Sequence, residues 1–159
     1  MYLTVHTPIS LIIGTKIKNP FLAFALAFLA HFILDSIPHD PAWQAATHLN
    51  FIITIATDFL LLFFLLLTIK KYRKNILKSA SVLSAIAGGI LPDVLWGINI
   101  ISPIKFYFIT QYQNFHHWVH LIFYHEQYID WRLVILSQGL TFLLGLLCYL
   151  KISNNKTDL

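Results

Sequence analysis

Apolar residues in this chain form long segments separated by short polar ones. Residues 6–18 could form a short apolar helix, and Asn19-Pro20 is typical of a tight turn that starts the next helix. Gly88-Gly89 and Pro92 interrupt a later apolar stretch, so we expect a helix there to bend or stop near Pro92. Four segments approach the ~20 residues that a bilayer-crossing helix requires; they lie near positions 20–37, 50–69, 76–101 and 133–150.

This pattern predicts an all-α fold, a polytopic membrane bundle of about four transmembrane helices plus the short N-terminal helix. The connection from Ser102 to Arg132 is rich in phenylalanine and tyrosine, which favours one or two helices lying along the membrane interface. Residues 1–159 are expected to form a single membrane-embedded domain, with a disordered tail over about 152–159.

Composition supports a membrane protein. Hydrophobic residues make up 57% of the chain and charged residues 11%, whereas a soluble domain averages about a quarter charged residues. The mean hydropathy of +0.68 points the same way. Cys148 is the single cysteine, so it cannot form a disulfide within the chain.

Basic residues orient the predicted bundle. Lys70, Lys71, Arg73, Lys74 and Lys78 cluster between the second and third segments, as in a short cytoplasmic loop. The net charge of +4 could suit nucleic acid, but this clustering favours a topology signal that attracts anionic membrane lipid. We therefore predict an integral protein of the cytoplasmic membrane that binds no nucleic acid, with loops 38–49 and 102–132 facing outward.

Ionisable side chains collect near the outer ends of these segments. His31 and Asp35 are four residues apart and share a helix face. Pro38 then ends the helix and places His39 and Asp40 just beyond it. Ionisable groups inside a membrane span are costly, so this run is the first place to look for function.

Further groups are expected at the same depth. His6 lies 13 residues before Asn19 and His31 lies 12 after it, so both rise equally in a helical hairpin. Imidazole with carboxylate and no thiolate favours zinc or another borderline divalent metal. One outward-facing metal pocket is therefore predicted from His6, His31, Asp35, Asp58, Asp93 and one or more of His116, His117 and His120.

Several of these residues also have structural interpretations. His116-His117-x-x-His120 could belong to an interfacial helix whose histidines are incidental. Asp58 could be a proton carrier or a hydrogen-bond acceptor between helices, and Asp93, which follows Pro92, could cap the next short helix. His31 with Asp35 is the hardest pair to explain structurally, because burying such a pair is expensive.

Four features together resemble the membrane-bound metal-dependent hydrolase family. They are an early His6, the helix His31-x-x-x-Asp35 ending in Ile37-Pro38-His39, the stretch Gly89-Ile90-Leu91-Pro92-Asp93, and a later histidine cluster. That family is in turn similar to the zinc-dependent phospholipase C fold, which is all-helical with clustered zinc ions. The resemblance covers roughly residues 1–120.

The resemblance implies metal-ligand roles for five residues, which are His6, His31, Asp35, His39 and Asp93. His116, His117 and His120 match more loosely, because His116-His117-Trp118-Val119-His120 stands in place of an arginine-containing signature. The His-x-x-x-Asp pair also precedes the Pro-Asp motif here, which reverses the family's order.

These observations lead to a functional expectation. One to three zinc ions would polarise a phosphoryl or acyl oxygen and lower the pKa of a water, which Asp58 or Asp93 would orient. A lipid-like ester, such as a phospholipid, suits a pocket at the membrane interface. The alternatives are a non-enzymatic carrier or sensor for protons or divalent metal, and a structural membrane subunit with a degenerate metal site.

Overall fold

The computed structural model describes residues 3–37, 48–73, 75–102, 104, 106–121 and 131–154. Throughout these ranges the regular structure is helical, as predicted. The elements in chain order are α1 (Leu3–Lys16), α2 (Pro20–Asp35), α3 (His48–Tyr72), a short 3-10 turn (Ile76–Lys78), α4 (Ala80–Ile101), α5 (Tyr107–Leu121) and α6 (Trp131–Asn154).

Three helices form the centre of the bundle. α4 packs along both α1 and α2, while α3 and α6 lie against α1, and α5 rests on α2 and α4. The close packing depends on glycine: a Cβ on Gly88 would overlap the backbone of Phe24 in α2, and one on Gly14 would overlap the backbone of Val82 in α4. These glycines let α1 and α2 approach α4 closely.

The first hairpin is built as its sequence indicates. Asn19 precedes α2 in an extended conformation, and its side-chain oxygen accepts hydrogen bonds from the backbone N–H groups of Phe21 (2.9 Å) and Leu22 (3.2 Å). Pro20 occupies the first turn, where its missing N–H costs nothing. The Ser81 hydroxyl donates to the carbonyl oxygen of Lys18 and ties this turn to the start of α4.

Pro92 does not end its helix. α4 continues from Ala80 through Pro92 to Ile101, so of the two expected outcomes, a bend or a stop, the stop does not occur. Pro92 is fully buried in the packed interior, where contacts with neighbouring helices hold the helix together despite one missing backbone donor. α6 likewise runs to Asn154, past the start of the expected tail; residues 155–159 lie outside the described part.

Large apolar side chains face outward over much of the surface. Leu60, Leu61, Phe63 and Phe64 of α3 are each more than half exposed. α2 and α6 carry similar exposed rows, whose members include Phe21, Leu29, Ile33, Leu136, Leu144 and Leu147. The fully buried set, in contrast, includes several histidines and an aspartate. An apolar exterior, with ionisable groups buried in the interior, is unusual for a protein surrounded by water.

Two helices in the described ranges, rather than four, are long and apolar enough to cross a bilayer. They are Ala80–Asn99 in α4 and Arg132–Ile152 in α6. α2 is apolar but has 16 residues, which at ~1.5 Å each falls short of the ~30 Å hydrocarbon layer. α3 has 25 residues but carries Asp58, Lys70 and Lys71. The two apolar helices weakly suggest a membrane association.

Glycine-dependent packing of α2 on α4 can be tested with a single methyl group. We expect Gly88→Ala to lower the free energy of unfolding by about 1–3 kcal/mol, because the new Cβ meets the backbone of Phe24. Thermal unfolding in detergent micelles measures the change. Gly139→Ala is the matched control, since no described atom lies within 4 Å of its Cβ, and it should be neutral or slightly stabilising. Equal melting temperatures for the two variants would contradict this packing.

Candidate metal centre

Five ionisable side chains from four helices meet in the interior of the bundle. α1 supplies His6, α2 supplies His31 and Asp35, α4 supplies Asp93 and α5 supplies His116. One ligand atom from each of His31, Asp35, Asp93 and His116 lies within 4.8 Å of all the others, a spacing that could hold a metal ion. The centre therefore joins residues up to 110 positions apart in the chain, from His6 to His116.

The centre is buried but has one exposed member. His6, His31, Asp35 and His116 are each about 1% exposed, whereas the side chain of Asp93 is 15% exposed. A buried carboxylate is tolerated only when it is paired with a cation or fully hydrogen-bonded. Asp93 marks the side from which solvent reaches the centre.

The two carboxylates divide their oxygens between two groups of histidines. Oδ2 of Asp35 lies 2.8 Å from His31 Nε2 and 2.7 Å from His116 Nε2, and Oδ1 of Asp93 lies 3.7 and 3.9 Å from the same two nitrogens. The other oxygens face His6: its Nε2 is 3.3 Å from Asp35 Oδ1 and 3.7 Å from Asp93 Oδ2. One oxygen of each carboxylate therefore faces His31 and His116, and the other oxygen faces His6.

His31 is held in a defined orientation by the backbone of α4. Its Nδ1 lies 2.8 Å from the carbonyl oxygen of Gly89, so this nitrogen carries a proton and donates it. In the neutral imidazole, Nε2 then presents a lone pair toward Asp35. The Nε2 lone pair and Oδ2 of Asp35 are both acceptors, so their separation of 2.8 Å requires a proton or a metal ion between them. In metal-binding histidines the far ring nitrogen commonly donates to a backbone carbonyl, which fixes the orientation of the ring.

The spacing of the nitrogens fits a metal ion. His31 Nε2 and His116 Nε2 are 3.3 Å apart, which matches the ~3.3 Å edge of a tetrahedron with Zn–N bonds of about 2.0–2.1 Å. The His6 and His31 rings stack with centroids 4.0 Å apart, so their Nε2 atoms reach the centre side by side. Among the described residues, neither ring nitrogen of His6 nor Oδ2 of Asp93 has a hydrogen-bond partner. His6 Nε2 and Asp93 Oδ2 lie 3.7 Å apart, and a cation or a water molecule in the centre would satisfy both.

Asp58 has a different environment from the one expected. Its carboxylate accepts hydrogen bonds from the backbone N–H groups of Leu3 (2.5 Å) and Thr4 (3.1 Å) and from the Thr4 hydroxyl (2.5 Å). These N–H groups belong to the first turn of α1, which has no intrahelical acceptor for them. Asp58 therefore caps α1 from the neighbouring helix α3, which corresponds to the hydrogen-bond acceptor alternative.

The histidines of α5 separate into different positions. His116 is buried in the centre, while His117 is exposed. One residue along a helix turns the side chain by about 100°, so adjacent histidines cannot both face inward. His120 lies one turn beyond His116 on α5, and its side chain is outside the described residues, as is all of His39. Asp93 lies within α4, so it does not cap a following helix.

Two groups at the centre were not identified from the sequence, one a side chain and the other a backbone carbonyl. Tyr112 lies one turn before His116 on α5, with its ring centroid 5.9 Å from that of His116, but its sequence context grouped it with the interfacial aromatics. Gly89 contributes a backbone carbonyl, which residue identity does not reveal. The i, i+4 spacing of Tyr112 and His116 was the available signal for the tyrosine.

Comparisons of the chain with protein-family models, with curated proteins and with solved structures find no match. The resemblance to the metal-dependent hydrolases consequently rests on the motifs themselves.

The role of Asp58 can be separated from acid–base chemistry by two substitutions. Asp58→Ala removes the acceptor for the first turn of α1 and should lower the free energy of unfolding by about 1–2 kcal/mol. Asp58→Asn keeps one acceptor oxygen but turns an NH2 group toward the N–H of Leu3 or of Thr4, so we expect a smaller loss of stability than in Asp58→Ala and unchanged binding of divalent metal. Loss of bound metal in Asp58→Asn would instead favour a role of Asp58 in the metal chemistry.

Proposed function

We propose that this protein is a membrane-embedded, metal-dependent hydrolase of a phosphoester or other ester bond in a lipid-like substrate. The observation that carries the proposal is the convergence of three histidine Nε2 atoms on two carboxylates, with His31 Nδ1 already committed to a backbone carbonyl. Histidines and carboxylates that project inward from separate helices are a known way to build metal sites in helical bundles.

The donor arrangement supports two zinc ions. The His31 and His116 side has two nitrogens and one oxygen from each carboxylate, which is a complete tetrahedral set. The His6 side has one nitrogen and Oδ1 of Asp35, so an ion there keeps room for water or substrate. The remaining oxygen, Oδ2 of Asp93, is left to accept a hydrogen bond from that water. Paired ions bridged by carboxylates and about 3.5–4 Å apart are typical of hydrolytic enzymes.

When bound, such ions polarise the oxygen of the scissile group and lower the pKa of a nearby water. Asp35 and the histidines would hold the ions in position. We assign the orientation of the attacking water to Asp93 rather than Asp58, because Asp93 is the exposed member of the centre and the Asp58 oxygens already serve α1. His117 is exposed and is left out of the proposed ligand set. His39 and the side chain of His120 lie outside the described residues, and both stay predicted ligands.

A lipid environment is supported by the outward-facing apolar rows on α2, α3 and α6 and by the two apolar helices α4 and α6. We propose that α3 crosses the bilayer together with them. We also propose that segment 20–37, which extends α2 to 18 residues and so reaches the range of about 17–25 for short spans, crosses as well, which gives four crossings. The basic residues around Lys70–Lys78 would then face the cytoplasm and the metal centre would face outward across the cytoplasmic membrane. A substrate with acyl chains could approach the centre from the surrounding lipid.

Metal content tests the ligand assignment. Protein purified in detergent and analysed by elemental mass spectrometry should hold about two zinc ions per chain. His6→Ala should keep about one, because the four-donor set remains, and Asp35→Ala should lose both. His117→Ala is the matched control on α5, since His117 is exposed beside the buried His116. Parent protein without zinc or a similar metal would remove the basis of the proposal.

Hydrolysis is tested directly with chromogenic substrates in mixed micelles. We expect zinc-loaded protein to cleave a nitrophenyl phosphodiester or carboxylic ester that carries an acyl chain. Asp93→Asn should slow the reaction by about 100-fold or more, while His117→Ala should match the parent. Zinc bound at full occupancy without hydrolysis of either class would instead favour a non-enzymatic metal carrier, a sensor or a structural subunit.

A further inference from the structure

Tyr112 places a hydroxyl-bearing side chain beside the metal centre. It lies four residues before His116 on α5, so the two side chains share a helix face. The rings are tilted by 40° with centroids 5.9 Å apart. His116 Nε2 in turn touches Asp35 Oδ2, so Tyr112 borders the ligand set without being a member of it.

The hydroxyl of Tyr112 is buried and has no hydrogen-bond partner among the described residues. Buried tyrosine hydroxyls normally have a partner, since leaving one unsatisfied costs the full desolvation of the group. A donor that is buried, unpaired and next to a cluster of metal ligands is expected where a bound molecule supplies the missing acceptor.

Tyr112 is in the donor form at neutral pH. A phenol ordinarily has a pKa of about 10, and burial raises the pKa of Tyr112 above this range. Tyr112 shares a helix face with His116, which is buried in the centre, so its side chain lies on the side of α5 that faces the centre.

Charge balance indicates what the acceptor is. Two divalent ions bring four positive charges to two carboxylates and three neutral imidazoles, which leaves the pocket positive. A positive, largely buried pocket attracts an anion, and a neutral hydrogen-bond donor at its edge adds orientation without further charge.

We propose that the Tyr112 hydroxyl donates a hydrogen bond to an oxyanion bound in the metal pocket, such as the phosphoryl group of a substrate or free phosphate. This inference rests on the proposed function, because the metal ions supply most of the attraction for the anion. It assigns Tyr112 the role of an oxyanion-binding residue, which its position among interfacial aromatics did not suggest.

The probe is inorganic phosphate. Cobalt(II) takes the place of zinc as the reporter, because the visible spectrum of cobalt changes when its ligands change. Full-length protein in detergent is loaded with cobalt and titrated with phosphate. Tyr112→Phe removes the hydroxyl alone, and Tyr107→Phe is the matched control, because Tyr107 lies on the same helix and is 80% exposed.

We expect Tyr112→Phe to bind cobalt as the parent does but to bind phosphate about tenfold more weakly, as for one hydrogen bond to a charged group. Tyr107→Phe should match the parent in both. Equal phosphate affinity in parent and Tyr112→Phe, or a cobalt spectrum that ignores phosphate, overturns the role of Tyr112 and leaves the metal site standing. Failure of the parent to bind cobalt overturns both proposals.

Repeating the titration with phosphatidic acid in the micelles separates a lipid phosphate from free phosphate, since tighter binding of the lipid indicates that the acyl chains contribute.

Discussion

The bundle depends on one buried carboxylate, Asp35. Its two oxygens lie within 3.3 Å of imidazole nitrogens from α1, α2 and α5, and it is almost completely shielded from solvent. A buried charge in an apolar bundle is strongly destabilising without compensation. The helices that supply the compensating groups must therefore dock in one register, and a metal ion between carboxylate and imidazoles would connect folding with ligation.

Small residues make that register possible. Gly88 lets α2 approach α4, and the Gly89 carbonyl then reaches Nδ1 of His31 at 2.8 Å. Asp58 fixes the other side of the centre by capping α1 at Leu3 and Thr4, two to three residues before His6. The geometry of the centre thus depends on backbone groups as much as on the side chains that meet there. Each group is remote in sequence from the atom that it positions.

Periodicity and spacing predicted much of this architecture. The apolar segments located the helices, the i, i+4 rule placed His31 with Asp35, and residue counting about Asn19 put His6 at the depth of His31, where the structure has it. Sequence alone could not choose among His116, His117 and His120, because the rotation of α5 is set by tertiary packing. It also could not show that Asp58 caps α1, or that α4 continues through Pro92, since both depend on neighbouring helices.

We propose that divalent metal ions such as zinc lie among His6, His31, Asp35, Asp93 and His116. Anomalous diffraction from crystals of the zinc-loaded protein at the zinc absorption edge tests it most directly. We predict two peaks about 3.5–4 Å apart, one about 2.0–2.1 Å from Nε2 of His31 and His116 and the other equally close to Nε2 of His6. Absence of anomalous density between these five side chains, with zinc at saturating concentration, would contradict the account.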